Sequence, residues 1–213
     1  MGKTFTNKIA LAIGAAMSVF AVVMQFYLMF INRTTAVSEM IIRFFSFFTI
    51  LTNSLVALYF SALLLSSQPK QNSFFSKAST ATAVAVYIII VGAVYQFILR
   101  GIWSPVGWQQ IVDELLHSVI PLYFVIYWLV FVPKHNIQWA QIPFWLIYPF
   151  VYLIFILVRG HFSGFYPYPF VDVLKIGFPQ VMTNASLLII VFIMLSAIMV
   201  LISRLLSTKK TTL

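Results

Sequence analysis

Six apolar stretches alternate with polar or Pro/Gly-bearing connectors along this chain. The stretches fall at about 9–31, 44–65, 79–99, 115–132, 142–158 and 182–203, with connectors at 32–43, 66–78, 100–114, 133–141 and 159–181. A helix that crosses the ~30 Å of bilayer hydrocarbon needs about 20 apolar residues. In lipid a helix also satisfies its own backbone polar groups. The pattern predicts an all-α polytopic membrane protein: a single six-helix transmembrane domain over residues 1–213, with no soluble domain. The fifth stretch is the shortest, and Pro149 predicts a break within it. Lys3 and Lys8 precede a first run of 23 residues. That run is too long for a signal-peptide core and reads as a retained anchor.

Composition removes the competing classes. Hydrophobic residues make up 62% of the chain and charged residues 8%, against about 45–50% and about 25% in soluble domains. So few charges cannot cover a soluble surface, and disorder requires low hydrophobicity. With no cysteine, there is no disulfide, thiol nucleophile or thiolate metal site. The net charge of +9 raises nucleic acid as a partner, but there is no Lys/Arg run, and basic loops in a membrane protein fix orientation and meet anionic lipid. The expected partners are therefore the bilayer and a lipid, with no nucleic acid. Protein partners stay open.

The charges divide by side. Six spans place Lys3, Lys8, Lys70, Lys77, Lys134, Arg204, Lys209 and Lys210 together with no acid. The opposite side receives Arg33, Arg43, Arg100, Arg159 and Lys175 and all four acids, Glu39, Asp113, Glu114 and Asp172. The positive-inside rule then predicts that both termini are cytoplasmic.

Polar side chains are costly in hydrocarbon, so each marks a candidate site. Gln25, Thr49, Thr52, Asn53, Tyr95, Gln96, His117, Thr183 and Asn184 all fall in the outer half of the predicted spans, with Arg100, Asp113, Glu114, Arg159 and His161 at their outer ends. The inner half is nearly pure Leu, Ile, Val, Phe and Ala. Such clustering predicts a polar pocket open to one leaflet, although any one of these residues can serve only to hydrogen-bond one helix to another.

Thr49 and His117 stand out within the cluster. At 1.5 Å per residue, Thr49 lies about 9 Å below the predicted start of the second helix and His117 roughly 6 Å below that of the fourth. A hydroxyl beside an imidazole is the minimal activated nucleophile for acyl transfer. Asp113, four residues before His117, is placed to orient the ring; an acid at a helix N-terminus also suits the helix dipole. Asn53, four residues after Thr49, can donate to an oxyanion or bond a backbone carbonyl. Pro121 weakens the helix at His117, whose carbonyl lies four residues back. Spacing does not choose among Ser46, Thr49 and Thr52 as the hydroxyl.

Three short motifs, in order, resemble one family. The segment Arg43-Phe44-Phe45-Ser46-Phe47-Phe48-Thr49-Ile50-Leu51-Thr52-Asn53 resembles the Phe-Leu-Thr opening of a helix in the androgen-induced protein family, which includes the androgen-dependent TFPI-regulating protein. Leu116-His117-Ser118-Val119-Ile120-Pro121 is similar to its His-x-x-x-Pro helix, and Gly164-Phe165-Tyr166-Pro167-Tyr168-Pro169-Phe170 to its Gly-x-x-x-Tyr-Pro-Phe loop. The order and the six-helix plan cover most of the chain. Asn53 and the short basic tail depart from the animal members and suggest a bacterial relative in a cytoplasmic membrane.

The resemblance implies an intramembrane threonine hydrolase acting on fatty-acid esters of hydroxy fatty acids or similar lipids. It places the nucleophile on Thr49 and the catalytic histidine on His117, and it requires no cofactor and no metal. Asn53, Arg100, Arg159 and Asn184 are the candidate substrate-binding residues. The alternative is a non-enzymatic lipid-binding or transport protein using the same pocket; a structural membrane subunit is a third reading.

Overall fold

The computed structural model describes residues 2–66 and 73–208, with side chains from Phe5 to Ser207. Lys70, Lys209 and Lys210, used above to orient the chain, lie outside the described residues, as does the side chain of Lys3. The described residues form helices and no strand. Six helical segments are long and apolar enough to cross a membrane: Phe5–Ile31, Phe48–Leu65, Ala78–Leu99, Trp108–Phe131, Trp139–Ser163 and Phe178–Ser207. The chain divides into two compact units, Met1–Asn136 and Ile137–Leu213.

The first unit holds four of the six spans. Helix α1 is Gly2–Ile31, α2 is Val37–Ser46, α3 is Phe48–Leu65 and α4 is Ala78–Val94. A π-helical turn, Tyr95–Leu99, extends α4. Helix α5, Trp108–Glu114, runs through a second π-helical turn, Leu115–Val119, into α6, Ile120–Phe131. Helix α1 packs along α3, and α4 packs on both α3 and α6. Phe60, Val56, Ile88, Phe124 and Trp128 fill the interior.

Two boundaries differ from the hydropathy pattern in ways that move the site. Residues 44–46 do not begin the second span. They end α2, and Phe47 breaks the path with extended backbone (φ −83°, ψ 124°) before α3 starts. Helix α2 is amphipathic: Met40 and Phe44 are buried while Val37, Ile41, Ile42 and Phe45 are exposed, the pattern of a helix lying in a membrane interface. Thr49 therefore sits in the first turn of α3, not about 9 Å along it. The fourth span starts earlier than expected, at Trp108, so His117 lies about 13 Å along it instead of roughly 6 Å.

The second unit holds α7 (Ile142–Ser163), α8 (Val173–Ile176) and α9 (Phe178–Thr208). Pro149 lies inside α7 without ending it, as prolines in membrane helices often do. Helix α7 runs past the expected end at 158 to a left-handed cap at Gly164 (φ 67°). Arg159 and His161 thus belong to its last turns and not to a connector. The chain then turns back so tightly that the Tyr166 ring lies on Gly160, where a Cβ would come within 2.1 Å of it.

Candidate functional site

Backbone chemistry around Pro121 builds the site. In an α-helix the carbonyl of Leu116 accepts from the N–H of Ile120. Here that N–H bonds the Leu115 carbonyl instead, closing the π turn. The next donor in the π pattern is residue 121, a proline without an N–H. The Leu116 carbonyl is thus left without a helical donor inside the bundle, where an unmet carbonyl is costly. Asn53 supplies one: its Nδ2 donates to Leu116 O at 3.1 Å and to Thr49 O at 2.9 Å. Both amide protons are then committed to carbonyls, and the residue is fully buried. The amide therefore clamps α3 to the π turn, the carbonyl-bonded arrangement, and has no proton left for an oxyanion.

This clamp brings the two candidate reacting groups together. Thr49 Oγ1 lies 3.2 Å from His117 Nε2. Thr49 is 8% exposed, His117 9% and Asp113 6%, so the pair is screened from bulk solvent yet not sealed. The other face of the ring system is fixed too. His117 Nδ1 lies 2.9 Å from the Asp113 main-chain oxygen and 3.3 Å from Asp113 Oδ1. A carbonyl oxygen only accepts, so Nδ1 carries the proton. In the neutral ring Nε2 is then the acceptor for the Thr49 hydroxyl. Ser46 Oγ donates back to Ile42 O at 2.7 Å within its own helix. Of the three hydroxyls that spacing left open, Thr49 is the one whose bond to the imidazole the structure gives.

A second layer of hydrogen bonds ties the two π turns together. Gln96 Nε2 donates to Ser118 Oγ at 2.8 Å, and Ser118 Oγ donates to Glu114 Oε2 at 2.7 Å. Glu114 Oε1 pairs with Arg100, whose guanidinium also lies 5.3 Å from the centre of the Tyr95 ring. Arg100 is thus charge-matched and half-exposed. Gln109 Nε2 donates to Gln25 Oε1 at 2.8 Å, joining α5 to α1. Gly92, one turn before Tyr95, permits the close packing: a Cβ there would stand 3.1 Å from the His117 carbonyl and 3.4 Å from the Pro121 ring.

Arg159 and Asn184 belong to the second unit and bond nearby backbone. Arg159 Nη1 donates to Ser163 Oγ and to Phe165 O, both at 3.1 Å. Asn184 Nδ2 donates to Phe170 O at 2.9 Å, and its Oδ1 accepts from Gln180 at 3.1 Å. Among the described residues, no three His, Cys, Asp or Glu side chains converge as metal ligands. Sequence reasoning had no role for Ser118. Its signal was available, since it lies four residues after Glu114 and one after His117.

Comparison with protein-family models, curated proteins and solved structures finds no match for this chain.

Proposed function

We propose that the protein is an intramembrane hydrolase of lipid esters, with Thr49 as nucleophile and His117 as general base. The observation that carries this reading is the 3.2 Å approach of Thr49 Oγ1 to His117 Nε2, on a ring whose Nδ1 proton is held by Asp113. Hydroxyl, imidazole and carboxylate stand in the order that acyl-transfer enzymes use.

The chemistry runs in two halves. Thr49 Oγ attacks the ester carbonyl as its proton passes to His117 Nε2. The tetrahedral intermediate collapses, the C–O bond to the alcohol breaks, and Nε2 returns the proton to the leaving alkoxide. The resulting acyl-Thr49 ester is cleaved by water, which gives one proton to Nε2 and its oxygen to the acyl carbon. Collapse frees a fatty acid and restores the hydroxyl. Thr49 occupies the first turn of α3, where the helix dipole favours the negative charge that develops on the attacked carbonyl. Asp113 holds the ring and balances the imidazolium.

The same reading makes the chain a relative of the androgen-induced proteins, with both termini cytoplasmic in a bacterial membrane. Support for these comes from the motifs and the charge asymmetry. The test is turnover. Purified protein in detergent or nanodiscs should hydrolyse a long-chain ester, and both Thr49→Ala and His117→Ala should lower the rate by at least about 10²-fold. Ligand binding without ester hydrolysis in the intact protein would favour the lipid-binding alternative.

A further inference from the structure

The His117 ring has a neighbour on its face as well as at both nitrogens. Tyr95 stacks on it, with ring centroids 4.2 Å apart and planes 14° from parallel. Tyr95 is itself 3% exposed, so the stack is an interior feature. Beside the ring, Asp113 Oδ2 is buried and has no hydrogen-bond partner among the described residues. Tyr95 therefore covers the face of the base, while Asp113 holds its edge.

The backbone places this contact with some care. Tyr95 opens the π turn of α4, closed by Arg100 N–H on Tyr95 O at 2.8 Å. His117 is the middle residue of the facing π turn. Such turns are rare and cluster at functional positions. Here two of them face each other, one presenting the stacking ring and the other the imidazole, and Gly92 keeps their backbones close. Arg100 and Glu114 pair with each other. Helix α3 carries no charged residue, and α1 carries only Lys3 and Lys8, near the end remote from Gln25. Besides Thr49, Asp113 and Tyr95 are the groups among the described residues that act directly on the ring.

We propose that Tyr95 is the positioning residue of this site: its ring clamps the imidazole plane so that Nε2 faces Thr49. The inference rests on the assignment of His117 as base. Without the clamp, only the Nδ1 bond to Asp113 resists rotation about the Cβ–Cγ bond, and Nε2 spends less time on the line to the hydroxyl. An electron-rich face also supports the positive ring formed during attack.

Two variants separate the parts. Tyr95→Phe keeps the stack and removes the hydroxyl. Tyr95→Leu fills space but offers no flat face. Ester hydrolysis by Tyr95→Leu should fall about tenfold in kcat with little change in KM, the range that an aromatic contact supplies, and Tyr95→Phe, which keeps the stack, should stay within about twofold of the parent. The companion measurement needs no turnover: the 15N signature of the His117 imidazole, assigned with His135→Gln and His161→Gln. A single Nδ1–H form is expected in the parent and in Tyr95→Phe, and an averaged ring in Tyr95→Leu. If all three give the same imidazole spectrum, or if Tyr95→Leu hydrolyses ester like the parent, the positioning role is overturned. If the spectra separate as expected while the parent shows no hydrolysis, the clamp stands and the hydrolase reading falls.

Discussion

The two units use similar polar side chains to different ends. In the first, polar groups reach across helices: Thr49 meets His117, Asn53 bonds the Leu116 carbonyl, Gln109 meets Gln25 and Gln96 meets Ser118. In the second, the bonds of Arg159 and Asn184 described above run to residues no more than 14 positions away, where they tie the turn after α7 and the stretch before α9. Polar residues of one sequence cluster thus divide into groups that converge on a histidine and groups that finish local backbone. The difference lies in what the backbone offers. Around Pro121 a carbonyl is released inside the bundle; around Gly164 the exposed carbonyls belong to a loop.

Substitutions can break this contrast. The largest loss is expected for Thr49→Ala, which removes the nucleophile and should lower kcat for ester hydrolysis by at least about 10³-fold. His117→Ala should cost about 10²- to 10⁴-fold, the usual weight of a general base. Asp113→Asn should be milder, about 10-fold, because the Asp113 main-chain oxygen still holds the Nδ1 proton and so still selects the tautomer. A full 10⁴-fold loss there would mean that the carboxylate alone sets the ring. Asn53→Leu should destabilise the first unit by about 1–2 kcal/mol, through the carbonyls it abandons, and should reduce hydrolysis by loosening α3 from the π turn. Thermal unfolding followed by helical circular dichroism, alongside kinetics, checks both. Asn184→Ala in the second unit should leave kcat within about twofold, as local substitutions commonly do. A large loss in kcat there would erase the distinction between the units.

Much of the architecture is visible in hydropathy, because length and apolarity alone decide whether a helix can cross a bilayer. The break at Phe47 is not, since Phe44, Phe45, Phe47 and Phe48 read as one apolar run whatever their backbone angles. Thr49 and His117 therefore match in depth only from helix starts that differ from the observed ones, Phe48 and Trp108. The two still meet because α3 begins only after α2. The π turns were half legible. Pro121 announced a defect at His117, but nothing local announces that the defect is a π turn or that Asn53 repairs it from another helix. The half of the spans away from the site is also less bare than its composition suggested, since Trp128 donates to Thr82 at 2.9 Å and Tyr123 to the Ala10 carbonyl at 2.6 Å. Tyr and Trp carry polar tips that a hydrophobic count hides.

The central claim is that Thr49 is a nucleophile made reactive by His117. Its most direct test is the site of covalent capture. Protein treated with a lipid-tailed fluorophosphonate, digested and sequenced by mass spectrometry, should carry the phosphonyl adduct on Thr49. The adduct should vanish in His117→Ala and persist in Asn184→Ala. An adduct on another hydroxyl, or one on Thr49 that forms equally well without the imidazole, would contradict the account.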